Sequence, residues 1–220
     1  MASLFEIPIE KVGGIGEKRG LLYRKLGIDT VGALIRFYPR SYEDWSSPTA
    51  IANAEVGTNV CIKAVISTAA AEHRVAGGKL LVTSRATDGN GFMRIVFFNN
   101  KYIRQKLILG EEFIFFGRLT ENNGIKEMIN PALEKFSTAS KVRPIYGQTL
   151  GLTSRMIEKS VSKAITMLPD EMRDPIPLNI REKYNIITLK QALVQIHCPE
   201  SLAEVNEARK RLIFEELLIL

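Results

Sequence analysis

Cysteine and histidine are scarce in this chain of 220 residues, with two of each. Cys61 and Cys198 stand far apart, and His73 and His197 are as isolated. No spacing in the sequence therefore assembles a four-ligand zinc site, and a structural metal is not expected. No apolar run approaches the roughly 20 residues that a bilayer span requires. The first ten residues lack a basic-then-apolar leader, so a cytoplasmic protein without a membrane partner is expected. With 45% hydrophobic and 25% charged side chains and only 9 prolines, disorder and collagen-like repeats are excluded. There is material for one large core or two small ones.

The motifs of several catalytic classes are missing as well. Nucleotide hydrolysis needs a glycine loop followed by Lys and Ser or Thr, because backbone amides wrap the phosphates while Lys and Mg²⁺ neutralise them. Gly77-Gly78-Lys79-Leu80 comes nearest. It lacks the first glycine and the Mg²⁺-binding hydroxyl, and it reads as a β-hairpin turn. No G-x-S-x-G, H-E-x-x-H or paired-cysteine motif occurs, and His197-Cys198 before Pro199 reads as the frayed end of a packed helix. The chain is expected to bind no cofactor and to perform no catalysis by itself.

What is present is a modest basic excess, +6 overall. Divided into residues 1–47, 48–137 and 138–220, the chain carries excesses of one, three and two positive charges. The middle segment leans most toward polyanions, a lean that many non-binding proteins share. The densest cluster, Arg209-Lys210-Arg211, is followed by Glu215 and Glu216 at helical spacing and reads as a solvated helix face.

Residues 1–47 form a helical segment. Gly13-Gly14-Ile15-Gly16 leads into a helix with Leu21, Leu22 and Leu26 on its apolar face, stopped by Gly27. Asp29 or Thr30 starts a second helix bearing Val31, Leu34 and Ile35. The arrangement resembles helix-hairpin-helix elements, in which glycine amides such as those of Gly14 and Gly16 face a DNA phosphate. A tight packing turn that touches no ligand uses the same glycines.

In residues 48–137 the periodicity changes to alternation. Strands are predicted at 60–66, 80–86 and 92–98, a short helix over 99–109 stopped by Gly110, and further strands at 113–119 and 125–129. Asp88-Gly89-Asn90-Gly91 and Glu121-Asn122-Asn123-Gly124 supply turns. Three strands, a helix and two strands is the order of a five-stranded OB-fold barrel, whose faces and loops bind single strands or oligosaccharides. A sandwich or an SH3-like barrel fits the strands alone, but neither ordinarily places a helix between the third and fourth.

Residues 138–220 turn helical after an irregular link over 143–147. Ile157, Val161, Ala164, Ile165 and Leu168 define one amphipathic helix capped by Thr153 or Ser154. Pro175 and Pro177 mark an extended stretch. Thr188 caps a helix with Leu189, Ala192, Leu193 and Ile196, and Ser201 with Glu204 opens a last one. That helix runs into Leu217-Leu218-Ile219-Leu220 without a stop, which suggests that a continuation covers it; a dimerisation helix is the alternative. The fold class is therefore α+β, an OB barrel flanked by helical segments.

One constellation invites a binding function. Phe97 and Phe98 point to opposite faces of the third strand, so one fills the barrel while the other stands at its rim. Tyr102 follows Phe98 by four residues and shares its side if the helix starts near Asn99. Arg94, Lys101, Arg104 and Lys106 surround the pair. Exposed rings beside cations stack on unpaired bases while the cations hold phosphates, at roughly 1 to 3 kcal/mol per base. Rings that merely close the barrel are the alternative.

At these residues a resemblance becomes specific. Val12-Gly13-Gly14-Ile15-Gly16, Leu26 to Val31, Tyr38-Pro39-Arg40-Ser41-Tyr42-Glu43-Asp44, the barrel with Phe98-Asn99-Asn100-Lys101-Tyr102, Arg143-Pro144-Ile145-Tyr146, and Ile196-His197-Cys198-Pro199 through Leu217 occur in this order. Together they resemble the N-terminal, wedge-containing region of the bacterial RecG family of ATP-dependent DNA helicases, over nearly the whole chain. The resemblance implies a cytoplasmic, nucleoid-associated monomer that remodels stalled forks and Holliday junctions. It implies forked or four-way DNA as partner, and ATP with Mg²⁺ bound by helicase lobes that lie outside this sequence and pack on the C-terminal helix. It also implies that Phe98 and Tyr102 stack at the branch point. A protein-protein interaction barrel and a general single-strand binder are the competing functions.

Overall fold

The computed structural model describes residues 4–75, 78–136 and 142–219. Its elements gather into two compact units, one formed by Met1–Asp44 with Lys141–Leu220 and the other by Trp45–Ser140. Gly77, Leu220 and the 137–138 boundary, all invoked above, lie outside the described residues.

In the first unit a 3-10 turn at Ile9–Lys11 precedes α1 (Glu17–Arg24). Helix α1 ends in a Schellman arrangement: the Ile28 N–H donates to the Tyr23 carbonyl and the Gly27 N–H to that of Arg24, with Gly27 at φ 76°. Leu22 and Leu26 pack against the core as expected. Leu21 instead faces solvent, and Gly20 and Tyr23 turn inward. Gly20 leaves room for the Glu10 carboxylate, which a Cβ at position 20 would push aside. Next, α2 (Val31–Ile35) is capped by Thr30 Oγ1, which accepts from the Ala33 N–H, and it buries Val31, Leu34 and Ile35.

Strand β1 (Ser41–Asp44) pairs antiparallel with β9 (Val142–Ile145), so the stretch read as an irregular link is half of a two-stranded ribbon. Pro144 is tolerated because such a ribbon has free edges. The helix α4 (Ser154–Ile165) buries Ile157, Val161 and Ala164 behind the Thr153 cap. A helix not read from the sequence, α5 (Leu178–Tyr184), follows Pro177, which suits a helix start because it needs no N–H partner. Then α6 (Leu189–His197) carries the full Thr188–Gln191 capping box, and α7 (Leu202–Ile219) starts at Ser201, whose Oγ accepts from the Glu204 N–H.

Among the buried polar groups of this unit, His197 and Arg211 tie its helices together. His197 is buried, and its Nε2–H donates to the Ile35 carbonyl at 2.7 Å while the Tyr146 hydroxyl donates to Nδ1 at 2.9 Å. It is a satisfied tie between helices rather than a frayed end. Burial pushes its pKa down to about 4, against the Ile35 bond. Arg211 corrects a second expectation, since its side chain has 0% exposure and is not on a solvated face. It pairs with Asp174 at 2.9 Å and Glu215 at 2.6 Å. Burial works against the Asp174 charge, yet the Leu189 and Ile176 N–H groups, Arg211 and Arg181 together hold its carboxyl below the usual range. Lys210 donates to the Tyr184 and Asn185 carbonyls at the end of α5, and Arg209 lies over the Tyr42 ring. Charge patterning alone missed these carbonyls, rings and carboxylates from distant sequence.

The second unit contains β2 (Asn59–Ile66), β3 (Ala71–Val75), β4 (Lys79–Thr87), β5 (Phe92–Phe98), α3 (Ile103–Lys106), β6 (Glu112–Asn122), β7 (Ile125–Ile129) and β8 (Ala132–Lys135). The strand order β2-β4-β5-β7-β6 closes on itself through β2–β6, with β5 and β7 parallel and the other pairs antiparallel. This is the OB barrel expected from the order of elements. Ile62, Val82, Ile95, Phe97, Phe115 and Met128 fill it. Strand β3, unread in the sequence, forms a hairpin with β4, and β8 extends the sheet at β6.

Candidate nucleic-acid interface

Alternation along β5 sends Met93, Ile95 and Phe97 into the barrel and leaves Phe92 and Phe98 outside. Phe97 is buried, whereas the Phe98 ring at the strand end is 39% exposed and Tyr102 is 74% exposed. Neither ring closes the core. The core positions beside them belong to Ile103 and Leu107, which anchor α3 to the barrel.

The path between the rings differs from the expected helix over 99–109. Asn99 stops the strand with φ 53°, and its side-chain oxygen accepts from the Leu80 N–H at 3.2 Å, while its own N–H donates to the Leu80 carbonyl at 2.8 Å. Asn100 Oδ1 accepts from the Tyr102 N–H at 3.2 Å, an Asx turn that delays the helix until Ile103. Helical i,i+4 spacing therefore does not relate Phe98 to Tyr102; a left-handed Asn and an Asx turn do. Asn130, also left-handed at φ 47°, fixes the other side, since its Oδ1 accepts from the Phe98 N–H at 2.9 Å and its N–H donates to the Val96 carbonyl at 2.7 Å. Asn130 was not singled out in the sequence, because nothing local links it to a strand 32 residues earlier. Ile129, half exposed, sits on β7 in register with Val96 and widens the apolar rim.

Four cations were expected around the rings. Lys101, Arg104 and Lys106 are exposed on the lip and on α3. Arg94 lies farther down β5, bonded to the nearly buried Glu127 on β7. The lip thus offers three solvated cations beside two exposed rings, while Arg94 is the member with a partner within the barrel.

In the other unit, Gly14 takes φ 90° and Gly16 is the N-cap of α1. Lys163 donates to the Gly13 carbonyl at 2.7 Å and Arg19 to the Gly14 carbonyl at 2.6 Å. The glycine turn therefore carries two cations held by its own carbonyls. Among the described residues no group of three or more His, Cys, Asp or Glu side chains is placed to hold a metal ion, and no helix is long and apolar enough to cross a membrane.

Comparison with known proteins matches residues 8–168 to the family model described as the RecG wedge domain. The ATP-dependent DNA helicase RecG of Thermotoga maritima is 27% identical over 218 residues, covering 96% of this chain and 28% of the relative. That of Borreliella burgdorferi is 28% identical over 226 residues, covering 98% and 32%. The chain thus spans about a third or less of the length of these relatives. Among solved structures, RecG bound to a three-way DNA junction superimposes with a TM-score of 0.87 at 26% identity, over 97% of this chain and 30% of that one.

Proposed function

The chain belongs to the RecG wedge domain family, and from that membership we propose that it is the branched-DNA-binding part of a RecG-type ATP-dependent helicase that remodels stalled forks and Holliday junctions. The observation that supports this most directly is the pair of rings, Phe98 and Tyr102, exposed at the lip of a closed barrel beside Lys101, Arg104 and Lys106. A duplex opening at a branch loses stacking of roughly 1.4 kcal/mol per step. A ring that takes the place of the departing neighbour returns roughly 1 to 3 kcal/mol. The barrel is suited to this because its strands close on themselves, so the lip does not splay when two strands are forced apart. The cations hold the backbones and make the contact sensitive to salt.

Further parts of the reading belong to the whole protein. Helicase lobes outside this sequence bind ATP and Mg²⁺ and drive the motion. They pack on α7, where Ile213, Leu217 and Leu218 are exposed. The protein acts as a nucleoid-associated monomer. Arg94 supports the rim through Glu127 and meets the backbone with its exposed part, and the N–H groups of Gly14 and Gly16 donate to a phosphate beside Arg19 and Lys163.

A titration of the chain against forked, duplex and single-stranded DNA at two salt concentrations tests this reading. Binding to the fork is expected to be tightest. Phe98→Ala with Tyr102→Ala weakens it severalfold and leaves duplex binding almost unchanged. Equal losses on fork and duplex would reject the wedge, and a preference for a long unpaired strand over a branch would mark a general single-strand binder.

A further inference from the structure

Helix α4 of the first unit carries Arg155, Lys159 and Lys163 at i, i+4 and i+8, all exposed, while Ile157, Val161 and Ala164 face the core. At helical rise the three cations form a ridge about 12 Å long. Like charges four residues apart destabilise a helix, so the ridge costs folding something that a polyanion would offset. At one end Lys163 is tied to the Gly13 carbonyl, and Arg19 of α1 to that of Gly14; carbonyls leave both charges unneutralised. Helix α1 adds Lys18 and Lys25, exposed on either side of the exposed Leu21. At the other end, just before α4, stands a tight turn. The Leu152 N–H donates to the Thr149 carbonyl at 3.0 Å and the Thr149 N–H to that of Leu152 at 3.3 Å, Gly151 takes φ 83°, and Leu152 is buried. The backbone is thus fixed on both sides of Leu150, which projects from the tip at 94% exposure. This turn and the glycine turn border one depression, lined by Gly14, Lys18, Arg19, Leu22, Gly151 and Met156, with Glu17 also on its rim.

We infer that this face grips the backbone of a DNA duplex, with the α4 ridge and Arg19 on its phosphates and Leu150 entering the minor groove as an apolar wedge. The inference shares with the branch-binding reading only the phosphate beside Arg19 and Lys163. It names the surface that still holds paired DNA when Phe98 and Tyr102 are removed. The occupant is paired because Tyr23 and Tyr146, the rings of the adjoining core, are buried and offer unpaired bases no platform, whereas a projecting leucine levers between stacked base steps. An acidic peptide would seat its own apolar side chain in a pocket; here the apolar group stands outward. The ridge matches three to four phosphates of one strand at about 3.4 Å of rise each.

The test measures binding of the chain to a blunt, unbranched duplex over a range of salt. Lys159→Gln with Lys163→Gln should weaken it severalfold at physiological salt and flatten the slope of log affinity against log salt by about 2. Leu150→Ala should weaken it severalfold with the slope unchanged, while Leu150→Met keeps most of the affinity. A fluorescent adenine analogue repeated along the duplex should brighten as the native chain unstacks it, and stay dim with Leu150→Ala. These side chains are exposed, so no variant should lower the melting temperature. Lys18→Gln with Lys159→Gln, which leaves the Gly13 contact in place, repeats the slope measurement without touching the glycine turn. An unchanged slope in both double variants, native duplex affinity in Leu150→Ala, or a single strand or acidic peptide that competes as well as the duplex would overturn the inference. A fork bound no more tightly than the duplex would instead count against the branch reading, and the duplex measurements would still decide this one.

Discussion

Arg211 illustrates how far a side chain's role depends on partners remote in sequence. Its neighbour Arg209 stacks on Tyr42 at the surface, while Arg211 is enclosed with Asp174 and Glu215. Removing one member of a buried ion cluster leaves the others desolvated and uncompensated, which costs about 3 to 5 kcal/mol. Arg211→Ala is therefore expected to lose stability on that scale in urea unfolding, whereas Arg209→Gln loses less than about 1 kcal/mol. His197 gives a pH signature. Its pKa falls from 6.5 to about 4 on folding, so between these values the unfolded chain binds more protons and stability falls as pH falls. The loss begins near pH 6.5, is complete near pH 4, and amounts to roughly 3 kcal/mol. In His197→Gln the stability profile should flatten across that window, apart from carboxylates titrating at its acidic end.

At the scale of elements, the lip depends on two asparagines more than on the short helix they precede. Asn99 adopts a left-handed backbone and serves Leu80 with both its N–H and its side chain. A β-branched residue there suffers a steric cost of roughly 1 to 2 kcal/mol and loses the side-chain acceptor. Asn99→Val should lower both stability and fork affinity, while Asn99→Gly, free of the steric penalty, should keep most of the affinity; melting curves and the fork titration read the two effects separately. The barrel strands were legible because alternation and turn residues are local signals. So were the helix starts, with Thr188 named outright and Thr30 and Thr153 each as one of two adjacent residues, because a capping side chain is a local signal. The ribbon of β1 with β9, the hairpin strand β3 and the buried Arg211 were not legible. Their causes are pairings across long stretches of chain, or strands too short to show a period. The rings at Phe98 and Tyr102 were recognised, but by a helical spacing that the structure replaces with an Asx turn.

At the scale of the molecule, the modest net charge is less informative than its placement. If Lys101, Arg104 and Lys106 each neutralise a phosphate, the logarithm of fork affinity falls with that of salt by about 0.7 to 0.9 per contact. Replacing all three with Gln should flatten the slope by about 2 to 3 in titrations from low to physiological salt, and a smaller change would place the phosphates elsewhere. The core of the unit holding Ile9, Val31 and Leu34 also needs Ile157, Val161 and Leu193, which the ribosome adds more than a hundred residues later. At roughly 5–20 residues per second, the barrel can close on its own while those early apolar side chains wait on the order of ten seconds for their partners. The segment carrying Ile9, Val31 and Leu34 therefore stands to gain from a chaperone while it waits.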